Sequence, residues 1–554
     1  MIALFISSFI AFILFLFYGV FTTKILSIES SIFEKLLIGL VVVNTITVLI
    51  SIFFPISNFI LLCTALPIAA FIFYIKKILI EIYQTICSKY HILLLSAPFL
   101  LLGFSIALQE PLLYDTGLYH IQSIKWIEEY ATLPGLANLH HRFGFNPIVF
   151  NLSALTAIPT IFHQEIFSIN YVLFSIFTIY FIDKLYYIFK KNAINNYFAF
   201  YSVFFYVLLL LSTHLSSPSP DFSSSTFLLF IFLRIIDIHY SDKTNTLNTF
   251  VPIIILSTYC IMAKLSTIPV SLVIIYLFFS FRTQWKEILQ ISIGVICICA
   301  PWFIKTIILT GWILYPFSEL DLFDFDWKVP AQTVNHLNAE IIGWARCPND
   351  YYYEVAHMPL VEWVPIWWSF LTMYTKLLII GSLILPIIIF IGQVFKIIYP
   401  KPLLNLILIT SFAGVCFWFI TAPDFRFGQI FILVALCTPL LYLDPSISFY
   451  KNQTSLNKRF VFSIACIALL IKFTRNTYGF NAPKIIHAFT NNIVIPTKIN
   501  ASKATFTYEY IDGHKIFIPL QDDRCFDHEL PCKPIDAPSI ELRGNHLDSG
   551  FKYK

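Results

Sequence analysis

LQEPLLYDTGLYHIQSIKWIEEYATLPGLANLHHRFGFNP, Leu108–Pro147, is the first long polar interruption in a chain that is otherwise largely apolar. Within it fall Glu110, Asp115, His120, Lys125, Glu128, Glu129, His140, His141 and Arg142, beside Tyr114, Tyr119, Trp126 and Tyr130. Apolar runs able to span lipid flank it. Charge this dense between such runs predicts a structured loop at a membrane surface. Asp115 is its central carboxylate and the candidate for chemistry.

Working outward, the chain has 554 residues, of which only 12% are charged against 58% hydrophobic. A soluble domain carries about 25% charged residues, so the chain reads as a polytopic membrane protein. Inside hydrocarbon every backbone polar group needs a partner in its own element, which leaves helices or a closed barrel. The apolar runs are near-continuous, not alternating, and this selects helices. The expectation is an all-α integral membrane protein with about fourteen transmembrane helices and a small extracytoplasmic C-terminal cap. The first run, MIALFISSFIAFILFLFYGVF, has no positive start and no small-residue cleavage site, and reads as a retained span rather than a signal peptide. No Lys/Arg-rich patch points to nucleic acid.

Lys24, Lys35, Lys76, Lys77 and Lys89 fall after the first and third runs, while the loop after the second is uncharged. The positive-inside rule puts those lysines in the cytoplasm and the Leu108–Pro147 loop outside. Four regions follow: N-terminal spans over 1–108, the acidic loop and juxtamembrane helices over 109–165, a membrane core over 166–473 with an outer loop at 310–363, and the cap over 474–554. The run Ile148–Phe162 is short, and the charge pattern alternates only if it lies on the outer surface. Phe250–Phe281 is too long for one span and is interrupted at AKLSTIP, so it reads as a hairpin of two short limbs.

Asp115 reads equally as a general base and as an N-cap for TGLYHIQSIKWIEEY. His120 is a lone histidine, more often structural than functional. Asp221, in SPSPDFSSS, faces the same outer side, and the helix-cap reading leads. Lys264 sits between two apolar limbs, where an uncompensated charge costs roughly 2.5–3.5 kcal/mol; it faces an anion or a polar cavity, or snorkels to the interface. Arg426, in TAPDFRFG, suits bidentate phosphate binding or an ion pair with Asp424. Arg142 and Lys305 add outer-face cations. Cys525 and Cys532, seven apart in the tail, could close a small loop in an oxidising compartment. His140–His141 lacks metal-ligand spacing, so no cofactor is implied and a divalent metal has no support.

The segments YDTGLYHIQSIKWI, FNPIVFNLSAL, CIMAKLSTIP, APWFIKTIILTGWILYP and WFITAPDFRFGQ together resemble the GT-C class of membrane glycosyltransferases, with its protein-mannosyltransferase-like core. PGLANLHHRFGFN, Asp326–Pro330 and RCFDHELPC also resemble a family of bacterial multi-pass membrane proteins without an assigned activity. The first resemblance implies an inverting transferase of the bacterial inner membrane with its reacting face outside. It would move a sugar from a polyprenyl-phosphate carrier to a cell-envelope glycan or glycolipid. Asp115 would be the catalytic carboxylate. Lys264 and Arg426, with Asp221, His120, Arg142 and Lys305 around them, would hold donor and phosphate. Membrane lipids are the surrounding partner. The alternative is a transporter or flippase of a lipid-linked saccharide, which broken helices and buried cations also suit.

Overall fold

The computed structural model describes residues 1–70, 87–190, 196–241, 246–349, 352–442, 455–479, 482–497, 504–535 and 537–554. The expectations that fall on Lys76 and Lys77 lie outside these residues.

Among the described residues, ten helices are long and apolar enough to cross a membrane. They are Ile2–Ile25, Ile32–Phe53, Tyr90–Ala107, Ile169–Lys190, Asn196–His214, Pro220–His239, Trp285–Thr310, Met373–Val394, Pro402–Thr421 and Phe425–Tyr442. Shorter apolar helices occupy Asn58–Pro67, Leu247–Ala263 and Leu265–Ser280. The expectation of about fourteen also counted the run starting at Phe59, the two short limbs of the Phe250–Phe281 hairpin and the run inside Ser455–Tyr478. Pro220–His239 is the central helix, buried along 83% of its apolar window; Met373–Val394 is peripheral at 28%. The outer side of the latter exposes Ile384, Ile387, Ile388 and Ile391. Such a patch belongs against lipid tails.

The first two helices cross at two glycines. A Cβ at Gly39 would stand 1.7 Å from the Phe15 carbonyl oxygen, and one at Gly19 the same distance from that of Lys35. Both obstacles are backbone, so only small residues permit this crossing. The interrupted run folds back as a hairpin: Leu247–Ala263 ends at Lys264, a 3-10 turn covers Leu265–Val270, and Ser271–Ser280 returns. The rings of Phe250 and Phe281, at its two open ends, lie 5.7 Å apart.

Within the short run Ile148–Phe162, the helix Val149–Ala157 has all nine residues buried. FNLSALT has no charged side chain to turn towards water, so the helix is enclosed beneath the acidic loop.

The ends of the helices define two faces. On one, Arg234 pairs with Glu34 at 2.5 Å, Lys184 with Asp237 at 2.8 Å and Lys89 with Asp183 at 2.6 Å, tying neighbouring helices together. On the other lie the acidic loop and the C-terminal cap. Two antiparallel hairpins build the cap: β1 Phe506–Ile511 with β2 His514–Pro519, and β3 Ile540–Leu542 with β4 Phe551–Tyr553. Asp512 and Gly513, both at positive φ, make the first turn, as a two-residue hairpin loop requires.

A disulfide joins Cys525 to Cys532. The loop it closes sits on the acidic loop. Gln122 Nε2 donates to the carbonyls of Phe526 and His528 at 3.2 and 2.9 Å, and Lys125 Nζ donates to that of His528 at 2.9 Å. The Phe526 amide donates to the Gly117 carbonyl at 2.8 Å. Gly117 is required there, because a Cβ would stand 2.8 Å from the Phe526 ring. Closing so short a loop contributes about 2–3 kcal/mol. The double change C525S/C532S is therefore expected to open residues 504–554 to limited proteolysis while the membrane helices stay protected. Identical digestion patterns would count against this role.

Candidate functional site

The acidic loop turns into its helix through one π turn, Thr116–His120, before Ile121–Glu129. Asp115 precedes that turn with helical backbone angles and makes no capping bond. Its carboxylate points instead to Arg426, with Oδ2 3.5 Å from Nη1. Such π turns recur at functional sites because the extra residue re-aims a side chain. Thr116 Oγ1 lies 2.6 Å from Ser217 Oγ and ties the turn to the start of the central helix.

That start is built by SPSPD. Asn170 Nδ2 donates to the carbonyls of Ser217 and Ser219 at 2.8 and 3.0 Å. Pro220 takes the first helical position, which makes Ser219 the N-cap; its hydroxyl accepts from the Asp221 amide at 3.3 Å. Asp221 is therefore not the cap, and its carboxylate is free to pair with Lys264 Nζ. Lys264 is extended, at φ −159°, where the hairpin breaks, and its ammonium also sits 3.9 Å from the centroid of the Phe427 ring.

Asp424 caps the helix that begins at Phe425. Its carboxylate accepts from the Arg426 amide at 3.0 Å and from Arg426 Nε at 2.9 Å. The Arg426 guanidinium lies 4.9 Å from the Phe427 centroid. Asp115, Asp221, Lys264, Arg426 and Asp424 thus gather around Phe427, joining the acidic loop, the central helix, the hairpin break and the turn TAPDFRFG. Side-chain exposure falls from 47% at Arg426 through 29% at Asp115 to 11% at Asp221, so the cluster opens outward at Arg426. The ion pair of Arg426 with Asp424, one of the two sequence readings of that arginine, is present; Phe427 carries no role in the sequence reading, although it stands beside Arg426 in the same motif.

The remaining candidates sit around or away from this cluster. His120 is buried, with its ring 5.3 Å from that of Phe150 and its Nδ1 without a partner. Burial pulls it down to about 4, against the opposing charges of Asp115 and Asp221, so it is neutral at pH 7 and no cation for phosphate. Arg142 pairs with Glu340, which His141 also approaches at 3.6 Å, rather than standing open to a ligand. Lys305 is buried and bonds to Ser51 and Asn151, neither of which belongs to the cluster. Among the described residues no group of three or more His, Cys, Asp or Glu side chains is placed to hold a metal ion.

Burial would raise the Glu340 carboxyl, but His141 and Arg142 outweigh it and hold it at about 2. Its folded value lies below the ordinary 4.5, so its contribution to stability is present above about pH 4.5 and is lost as pH falls towards 2. In acid unfolding the Glu340→Gln variant is expected to lose this part of the pH dependence. An unchanged slope between pH 4.5 and 2 would contradict the pairing.

Residues 1–433 match a family described as Domain of unknown function (DUF8201). No curated protein and no solved structure matches the chain.

Proposed function

The chain belongs to the DUF8201 family, whose description assigns no activity, and from that premise we propose that the Asp115 cluster is the site of a membrane glycosyltransferase using a polyprenyl-phosphate-linked sugar. The observation that carries this reading is the contact of Asp115 with Arg426 at 3.5 Å, beside a second acid–base pair, Asp221 with Lys264, around one ring. The cap-bearing side is the extracytoplasmic one on this reading. Its disulfide suits an oxidising compartment, and Lys24, Lys89, Arg282, Lys286 and Lys401, at or beside helix ends, are assigned to the cytoplasmic side by the positive-inside rule.

Charge balance sets the order of events. The cluster holds two cations against three carboxylates, so an incoming phosphate has to displace a carboxylate from Arg426. Asp424 is held by two hydrogen bonds of 2.9 and 3.0 Å; Asp115, at 3.5 Å, is the one released. Donor binding therefore frees the base. Asp115 then accepts the proton of the acceptor hydroxyl as that oxygen bonds to the anomeric carbon. The bond from that carbon to the phosphate oxygen breaks, and the polyprenyl phosphate leaves with the electron pair. Arg426 and Lys264 stabilise the charge growing on it, the kind of electrostatic contribution that usually dominates such steps. Attack opposite the leaving group inverts the anomeric centre.

Vesicles holding the purified full-length chain and a labelled polyprenyl-phosphate sugar test this. The expected result is free polyprenyl phosphate formed in step with a labelled glycan or glycolipid. Intact donor redistributed between leaflets, with none consumed, overturns the transfer reading in favour of transport.

A further inference from the structure

Lys305 stands apart from the cluster just described. It lies near the end of Trp285–Thr310 and is 2% exposed. Its ammonium donates to Ser51 Oγ at 3.1 Å and to Asn151 Oδ1 at 2.6 Å. Both partners are neutral, and among the described residues no carboxylate pairs with it. A buried ammonium without an opposite charge is costly by several kcal/mol, which is why buried charges are found paired. An ammonium also has three protons to donate, and these contacts use two.

Lys305 lines a cavity of about 30 Å³. Trp126 lines the same cavity; it is 2% exposed, and its indole N–H has no acceptor. No acidic residue contributes to the wall, which is completed mainly by apolar side chains such as Leu133, Leu136, Phe143 and Phe150. The space thus combines a cation lacking a counter-charge, a buried donor lacking an acceptor, and room for one or two water-sized particles.

We infer that this cavity is a binding site for a small monovalent anion of the halide kind, held between the Lys305 ammonium and the Trp126 indole N–H. A buried amine can escape the cost of its charge by shedding its proton; a halide instead accepts from both donors and keeps Lys305 protonated, which water does not. A phosphate ester carrying a lipid arm exceeds the space, which separates Lys305 from donor binding. Through Lys305 the anion would join four elements: Ile32–Phe53 by Ser51, Val149–Ala157 by Asn151, Ile121–Glu129 by Trp126, and its own helix. It would therefore fasten the acidic-loop helix to the bundle by stabilising the folded state in proportion to its occupancy.

The test uses the purified full-length chain in nanodiscs of zwitterionic lipid and does not involve sugar transfer. Thermal midpoints are read in sodium chloride and sodium bromide against sodium gluconate at equal ionic strength. The midpoint is expected to rise with halide concentration and saturate. Trp126→Phe, which keeps the ring packing and removes the N–H, is expected to weaken the apparent halide affinity roughly tenfold. Lys305→Met is expected to abolish the response. Should that variant not fold, crystals grown in bromide decide: an anomalous peak at Lys305 and Trp126 supports the site, and density there without anomalous signal means water and overturns it. Equal wild-type midpoints in all three salts, or a halide response unchanged in Trp126→Phe, also overturn it.

Discussion

Asp115→Asn lowers the rate of sugar transfer by about 10²–10⁴-fold, the range lost when a general base is removed, and leaves the fold in place. The side chain is 29% exposed and its ion pair with Arg426 is long, at 3.5 Å. An open pair of this kind contributes only about 0–1 kcal/mol, and Arg426 keeps Asp424 when Asp115 is neutralised. The measurement is single-turnover transfer beside thermal unfolding of the same preparation. Full activity in a folded Asp115→Asn protein removes the residue from the chemistry. A fall in both rate and midpoint would give it a structural role instead. Arg426→Lys separates binding from proton transfer, because an ammonium keeps the charge and loses the planar fork. Its expected effect is a raised donor KM with a smaller change in kcat.

The second large effect belongs to Lys264 and Asp221. Their side chains are 20% and 11% exposed, deeper than Asp115 and Arg426. Removing one partner leaves the other charge buried and unanswered, a loss of about 3–5 kcal/mol. Lys264→Met and Asp221→Asn are each expected to reach that range in denaturant unfolding. The combined Lys264→Met/Asp221→Leu change is expected to recover most of it, since a packed apolar pair of similar volume is often neutral or better. The recovered protein would fold and still fail to transfer sugar, having lost one of two phosphate ligands. Singles within about 0.5 kcal/mol of the parent, the scale of an ordinary surface change, would rule out the buried-pair account.

Much of this arrangement is legible in the sequence. Continuous apolar runs announced helices, AKLSTIP announced a broken one, and the charge density at Leu108–Pro147 marked the face where Asp115, Lys264 and Arg426 meet. One misreading had a signal that was available. Pro220 fixes the first helical position, so the cap had to be Ser219 and Asp221 had to look elsewhere. The π turn at Thr116–His120 had no signal: one extra residue per turn leaves no mark in composition or periodicity, yet it decides that Asp115 faces Arg426 rather than its own helix. Arg142 and Glu340 are 198 positions apart, and nothing local in either segment announces the other. Apolar length alone does not separate a crossing helix from a limb of a hairpin, which is why the run count of the sequence exceeds the ten long apolar helices among the described residues.

The cap's grip on the acidic loop has a consequence for how the protein is made. Gln122 meets its carbonyl partner at Phe526 across 404 positions of chain. At a ribosomal pace of about 5–20 residues per second, roughly 20–80 s separate the emergence of those two residues. During that interval every intervening helix is being threaded into the bilayer, while the charged loop has only water, or a chaperone, for company. A nascent protein halted before residue 504 would therefore carry its carboxylate and its arginine but not the clasp that fixes the turn between them, and competence would arrive as the final event of biogenesis.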